Sequence, residues 1–383
     1  MAKCVAIMAN SLKFGGAERV MADLSIFLHE NGYEVHLFLM DDTDVAYNYK
    51  GEIHKISFGA GPLLSLSYLI MTRRYKRKFK IDYAISAMEF MNFINIMTHC
   101  GEKMIPTMHN YKLQCEVTPT LKDKFIEWVF KKNVKKTHKI ITVSKAIREK
   151  LIKLYPDVKK EAFITIYNAS NVCQLKKLSE EDIPDNVKAF MTDVTFVNMA
   201  RFVHQKSLDR LVLAFNEVVQ HHPHARLVLI GDGEDREKLE NLAEYLGIRE
   251  KILITGFLKN PFSIISKATA FVLSSHYEGF GNVLVEALCC GRTVISVDCF
   301  AGPREILSPN EKTKGKDFEF CEYGILTKFY ADGSGNGVSE LAKAMEAIIK
   351  NPEIIKEYEN KAEKRAFDFM PERVYEIWNS ILD

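Results

Sequence analysis

The 383-residue chain has no C-x-x-C pair, no G-x-G-x-x-G loop and no apolar run near the roughly 20 residues that a membrane span needs. Each absence closes off a class. The cysteines are Cys4, Cys100, Cys115, Cys173, Cys289, Cys290, Cys299 and Cys321, and none has the Cys/His spacing suited to zinc. Several lie inside apolar stretches such as "EALCCGRTVISVDC", where a thiol packs as a small hydrophobe. Reduced thiols in a cytoplasmic protein are therefore expected. The opening "MAKCVAIMANSLKFGG" has too short an apolar core for a signal peptide and runs into a glycine turn. Neither export nor membrane spanning is expected, although contact with a membrane surface stays open. Short repeats and low-complexity tracts are also missing, and no nucleic-acid-binding motif is apparent, so nucleic acid is not an expected partner.

At this length one hydrophobic core rarely serves, and two domains are expected. The net charge of +2 conceals an asymmetry. Residues 1–170 carry 26 Lys+Arg against 17 Asp+Glu, a balance of +9, which leaves 26 against 33, or −7, for the remainder. A basic first half favours an anionic partner there.

Short apolar runs alternate with amphipathic stretches throughout, the pattern of parallel α/β structure. "CVAIMA", "EVHLFLM", "DYAISAM", "KMIPTMH", "KIITVS" and "FITIYN" read as strands of a first sheet. A helix with Ala17, Val20, Met21, Leu24, Phe27 and Leu28 on one face follows the first strand and stops at Asn31-Gly32. "VTFVNMA", "ARLVLIG", "KILITG", "AFVLSS", "TVISV" and "YGILTK" form a second series. Residues 308–322 break the rhythm and read as a surface insertion. The expected division is a first domain over 1–175, a polar linker over 176–190 containing "KKLSEEDIPD", a second domain over 191–364, and a closing helix over 365–383 free to return to the first domain. Two successive open α/β domains place ligands at the carboxyl ends of their strands.

Three loops carry chemistry. Gly15-Gly16 lies at a strand-to-helix turn, where backbone can approach a phosphate and the helix end is positive. As a plain tight turn the pair needs no ligand. "NMARFVHQKSLDRL" sets Arg201 and Lys206 before a helix with Ser207 as N-cap. Two cations at a helix N-terminus repel each other and the dipole, an arrangement that a diphosphate between them relieves; solvated surface charges are the alternative. "SSHYEGFGNVLVEALCCG" sets Glu278 at a loop tip and Glu286 inside the following helix, among apolar neighbours. Gly279 and Gly281 free the backbone around Phe280 to face a phosphate. A carboxylate buried like Glu286 needs partners, which ribose hydroxyls supply and a structural salt bridge also could.

On these landmarks, together with "AGPREIL", the chain resembles glycosyltransferase family four, with the GT-B fold, over nearly its whole length. "GGAERV", "EGFGNVLVEA" and "GPREIL" are similar to bacterial enzymes that extend polyprenyl-diphosphate-linked oligosaccharides. The fold implied is α/β, two Rossmann-like domains facing across a cleft. The resemblance gives Glu278 to the donor sugar and Glu286 to the ribose. It gives Arg201 and Lys206 to the diphosphate, assisted by the amides of Phe280 and Gly281. His109 in "PTMHN" falls beside the donor sugar, with a buried structural histidine as the rival reading. The turn "TGF", with Gly256 and Phe257, lines the base. Asn282 departs from the aliphatic residue common at its position, which bears on the donor sugar.

The reaction implied is retaining transfer of a hexose or N-acetylhexosamine from a UDP-sugar, UDP-GalNAc first, to a glycan or lipid-linked acceptor. No metal or other cofactor is required, because Arg201, Lys206 and a helix end stabilise the leaving diphosphate. The "DDTD" run, Asp41, Asp42 and Asp44, contains a D-x-D pattern but follows the second strand and reads as solvated loop. Two basic stretches, residues 61–80 and 124–139, join apolar residues to dense cations and read as helices for an anionic membrane surface, or as ordinary amphipathic helices. A GT-B-fold sugar-nucleotide epimerase and a catalytically silent scaffold that binds nucleotide sugars are the rival functions.

Overall fold

The computed structural model describes residues 2–13, 15–59, 62–110, 120–310, 317–330 and 335–383. The chain forms two compact units, Met1–Ala169 with Pro371–Asp383, and Ser170–Met370.

In the first unit seven parallel strands form one sheet: β1 (Cys4–Ala9), β2 (Glu34–Leu39), β3 (Glu52–Lys55), β4 (Tyr83–Ala87), β5 (Lys103–Met108), β6 (Ile140–Thr142) and β7 (Phe163–Thr165). Their order is β3-β2-β1-β4-β5-β6-β7, so the direction of winding reverses between β1 and β4. Both faces are covered, which is why the strands read as continuous apolar runs. Val5, Ile7 and Ala9 pack with Met21, Leu24 and Leu28 of the helix Gly16–Glu30. Ala6, Met8 and Phe38 pack on the other face with Tyr68, Met91 and Ile94. The helix Gly16–Glu30 ends where expected, with Asn31 as its C-cap and Gly32 in the left-handed region at φ 83°.

The chain end completes this core. Tyr375, Trp378, Ile381 and Leu382 are buried among β1 and β2 residues, and Lys3 Nζ donates to the Leu382 carbonyl at 2.7 Å. At about 1.5–3 kcal/mol per fully buried large side chain, this short segment contributes several kcal/mol to the first unit.

The second unit repeats the design with β8 (Thr195–Met199), β9 (Arg226–Ile230), β10 (Ile252–Gly256), β11 (Ala270–Leu273), β12 (Val294–Val297), β13 (Phe318–Cys321) and β14 (Gly324–Thr327). The order is β10-β9-β8-β11-β12-β14-β13, with β13 antiparallel and the reversal between β8 and β11. The helix Leu208–His221 buries Leu208, Leu211, Val212, Phe215, Val218 and Val219 at helical spacing against this sheet.

Three expectations change. The stretch expected as linker folds into the helices Val172–Ser179 and Asp185–Phe190 and belongs to the second unit. Asn260 donates to the Leu178 carbonyl and Ser266 to that of Ser179, while Leu175 and Val187 are buried, so a polar composition conceals an anchored face. The unit boundary lies at 169/170, and at the other end residues 365–370 stay with the second unit. The expected surface insertion contains β13, which pairs with β14; residues 311–316 within it lie outside the described residues. Strand β3 is four residues of mixed polarity, too short to show a period.

Candidate active site

In the second unit the loops after β8, β11 and β12 meet at the switch point. Gln205 and His276 zip the first two together: His276 N donates to the Gln205 carbonyl and Gln205 Nε2 to that of Tyr277, both at 2.9 Å. Ser274 Oγ donates to the Lys206 carbonyl, and Arg210 donates to that of Ser274. The β12 loop closes the other side, with Glu278 N donating to the Phe300 carbonyl at 3.2 Å. Gly302 (φ 98°) must be glycine, because an added Cβ would stand 1.7 Å from the Phe280 carbonyl oxygen. Phe280 itself is buried edge-on against Phe369.

This frame sets the charged groups. Lys206 Nζ lies 2.7 Å from Glu278 Oε1, which also accepts from Ser275 Oγ at 2.7 Å. Glu278 is 6% exposed. Lys206 is therefore not a solvated surface charge: Glu278 supplies it with a counter-ion within the chain. Arg201 differs. Its side chain is exposed and makes no hydrogen bond or ion pair among the described residues. Ser207 also departs from expectation. It sits at the N-cap position in left-handed conformation at φ 45°, and its side chain caps no helix amide. Its hydroxyl instead lies 3.3 Å from Asp209 Oδ1.

The helix Asn282–Cys289 starts from Gly281, buried and left-handed at φ 92°. The Gly281 N–H has no hydrogen-bond partner among the described residues, a buried donor at a positive helix end. Gly279 is buried beside it, and Asn282 is half-buried at the first helical position. Glu286 is 6% exposed inside this helix. Burial, with the nearby Glu286 carboxylate adding to it, pushes the Cys290 thiol up to about 12. Gly256 ends β10 at φ 72° with open space around it, and Phe257 beyond it is 73% exposed.

In the first unit Gly15 and Gly16 lie at the β1 switch-point turn, where Gly15 N donates to the Tyr47 hydroxyl at 3.1 Å. His109 follows β5. Its Nε2 lies 2.8 Å from Thr107 Oγ1, whose own proton goes to the Ser86 carbonyl at 2.9 Å. Nε2 must therefore carry hydrogen and donate, leaving Nδ1 as a buried acceptor with no partner among the described residues. Burial lowers the His109 pKa to about 4, so the ring is neutral at neutral pH. The three aspartates of the D-x-D run face lysines: Lys13 lies 2.7 Å from Asp41 and 3.5 Å from Asp44, and Lys55 2.8 Å from Asp42.

Sequence reasoning missed Gln205, Ser275 and Gly302. Glutamine and serine carry no motif, and Gly302 was visible only as part of "AGPREIL". It also misjudged Lys76, which is buried and donates to Glu102 Oε1 at 2.5 Å and Asn95 Oδ1 at 2.7 Å. The other cations of its helix, Arg73, Arg74, Arg77 and Lys78, are exposed, as are Leu66 and Ile70. On the helix Leu121–Asn133, Leu121, Phe125 and Trp128 form an exposed stripe, while Val129 and Phe130 turn inward. Among the described residues no helix is long and apolar enough to cross a membrane.

Two α/β units, each wound about a switch point, with an acid–base pair, an exposed arginine and a bare helix amide beside one of them, are the architecture of the GT-B fold. The family "Glycosyl transferases group 1" matches residues 179–365, and "Glycosyltransferase Family 4" matches residues 14–172. An uncharacterized glycosyltransferase of Methanocaldococcus jannaschii is 30% identical over 365 residues, 87% of this chain and 89% of that protein. The N-acetylgalactosamine-N,N'-diacetylbacillosaminyl-diphospho-undecaprenol 4-alpha-N-acetylgalactosaminyltransferase of Campylobacter jejuni is 27% identical, covering 95% of this chain and 94% of its own. Among solved structures, Anabaena HepE in complex with UDP superposes with a TM-score of 0.76 at 16% identity over 99% of both chains. Sucrose-phosphate synthase from Thermosynechococcus elongatus gives 0.78 at 18%, covering 99% of this chain and 98% of its own; at such identity the likeness is one of fold. The chain belongs to the family 4 glycosyltransferases and has the GT-B fold.

Proposed function

We propose that the enzyme moves a hexose or N-acetylhexosamine from a UDP-sugar, UDP-GalNAc first among candidates, to a polyprenyl-diphosphate-linked oligosaccharide in surface glycan assembly, with retention of configuration. The observation that carries this reading is the switch-point cluster around one loop frame: a paired Lys206–Glu278, and an exposed Arg201 side chain and a Gly281 amide that have no partner among the described residues. The activity of the Campylobacter relative, N-acetylgalactosaminyl transfer to a diphospho-undecaprenol-linked glycan, supports the donor and the lipid-linked acceptor.

In this reading Arg201 and the Gly281 amide take the diphosphate, and Lys206 shares its charge between that group and Glu278. Glu286 accepts from the ribose hydroxyls, and Gly256 and Phe257 line the base. Glu278 is already held by Lys206 and Ser275, which makes it a poor nucleophile and a good acceptor for sugar hydroxyls. The acceptor hydroxyl therefore attacks from the face the diphosphate leaves, and the leaving oxygen takes its proton. His109 offers its neutral Nδ1 as an acceptor to a sugar hydroxyl. Cationic side chains serve the leaving group, so the reaction needs no metal.

The enzyme works at the inner face of the cytoplasmic membrane, where Arg73, Arg74, Arg77 and Lys78 meet anionic headgroups and Leu121, Phe125 and Trp128 enter the interface.

The test is a thermal-shift screen of UDP- and GDP-sugars, then release of the nucleotide with and without a lipid-linked acceptor. UDP release only with acceptor, and an α-linked product from an α-linked donor by NMR, are expected. Nucleotide release without acceptor would favour an epimerase or hydrolase, and an inverted product would remove the retaining mechanism. Glu286→Gln should raise KM for the donor about 30-fold or more at the cost of one charge-assisted contact.

A further inference from the structure

A second polar cluster in the first unit lies at the amino ends of β1, β2 and β3, whereas Gly15 and His109 follow strand carboxyl ends. Parallel pairing sets Cys4 beside Glu34 and His36 beside Glu52. Residues two apart on a strand share a face, so Glu34 joins His36 and Glu52 joins His54 on one side of the sheet. Ligand-type atoms of Cys4, Glu34 and His36 all lie within 4.8 Å of one another. Cys4 Sγ is 3.3 Å from Glu34 Oε2, and His36 Nε2 is 3.3 Å from Glu34 Oε1.

His36 is the informative member. It is 3% exposed, and its buried Nε2 makes no hydrogen bond among the described residues. Its Nδ1 lies 3.0 Å from His54 Nε2. When Nδ1 carries the proton and donates to His54, Nε2 turns a bare lone pair on the Glu34 carboxylate. Two acceptors at that distance repel unless a cation stands between them. Ligands about 2.0–2.3 Å from a tetrahedral ion are spaced about 3.3–3.8 Å apart; His36 Nε2 stands at that spacing from Glu34 Oε1, and Cys4 Sγ at the same spacing from the other oxygen, Oε2.

We propose that Cys4 Sγ, a Glu34 carboxylate oxygen and His36 Nε2 bind a zinc ion, with water completing the tetrahedron. A thiolate and an imidazole select zinc over magnesium or calcium. The Cys4 thiol gives its proton to solvent on binding. His54 is a positioning residue, holding the ligating tautomer of His36 through Nδ1–H. Phe79 stacks on His36 at 4.2 Å between ring centres and lies 4.5 Å from His54, which fixes both rings. The ion ties the starts of β1 and β2 together and so stabilises the first unit, remote in sequence and strand end from the transfer chemistry.

The test uses the full chain, stripped with chelator, desalted and titrated first with cobalt(II) and then with zinc. One cobalt per chain should bind with an intense near-ultraviolet thiolate-to-cobalt band that zinc abolishes, and zinc should raise the melting midpoint. Cys4→Ser should remove the band, and Glu34→Gln should weaken binding; both side chains are partly exposed, and circular dichroism checks that the variants fold. His54→Phe should weaken cobalt binding about 10- to 100-fold while keeping the band at saturation, which a purely structural role would not do. A parent without the band at saturating cobalt, or a band that survives Cys4→Ser, overturns the assignment.

Discussion

Arg201 and Lys206 sit on one loop, yet removing each should do something different. Arg201 is exposed and its side chain has no partner among the described residues, so Arg201→Ala should change stability by no more than about 0.5 kcal/mol. If it contacts the departing diphosphate, its loss costs on the order of 2–4 kcal/mol in the transition state, roughly 30- to 1000-fold in rate. Lys206 is the counter-ion of Glu278, with side chains 20% and 8% exposed and 2.7 Å apart. Lys206→Ala leaves that carboxylate with Ser275 and little water, a penalty of about 1–3 kcal/mol. In a unit of this size it corresponds to a drop of roughly 2–12 °C in melting midpoint. The assay pairs thermal melts with initial rates of UDP release. Expected is a stable, slow Arg201→Ala and a less stable, slow Lys206→Ala. Normal turnover in folded Arg201→Ala, or equal destabilisation by both changes, refutes the division of roles.

Three further outcomes are expected. Transfer should persist in EDTA well below the melting temperature, because the D-x-D acids Asp42 and Asp44 already face lysines; loss of activity restored by manganese or magnesium would return those acids to the chemistry. Exchanging Arg73, Arg74, Arg77 and Lys78 for glutamate, with buried Lys76 spared, should release the protein from anionic vesicles in flotation, since each cation contributes about 1 kcal/mol near such a surface; a parent protein that never floats at low salt ends the membrane reading and leaves the fold untouched. His109, held neutral with a pKa of about 4 against an ordinary 6.5, favours the unfolded state once that state protonates. Its cost should grow as pH falls from 6.5 to 4, reaching about 3 kcal/mol, so stability in His109→Gln should fall less steeply over that window, and parallel curves would contradict the buried neutral ring.

The sequence by itself determined the alternation of strands and helices, the two sheets and the loops after β1, β8 and β11, because apolar period and glycine placement are local signals read over a few residues. The resemblance to family 4 rested on those loops and survived comparison. Other features were settled only by tertiary packing. Lys206 and Glu278 are 72 residues apart, and nothing near either foretells that one neutralises the other. Lys76 sits in a cationic run that looks uniformly solvated, yet the helix turns it inward onto Glu102. Residues 176–190 are polar enough to pass as linker, and only contacts from Asn260 and Ser266 show them anchored. Cys4, Glu34 and His36 have no metal-like spacing along the chain. Parallel register between β1 and β2, fixed by the cores on both faces of the sheet, brings them together.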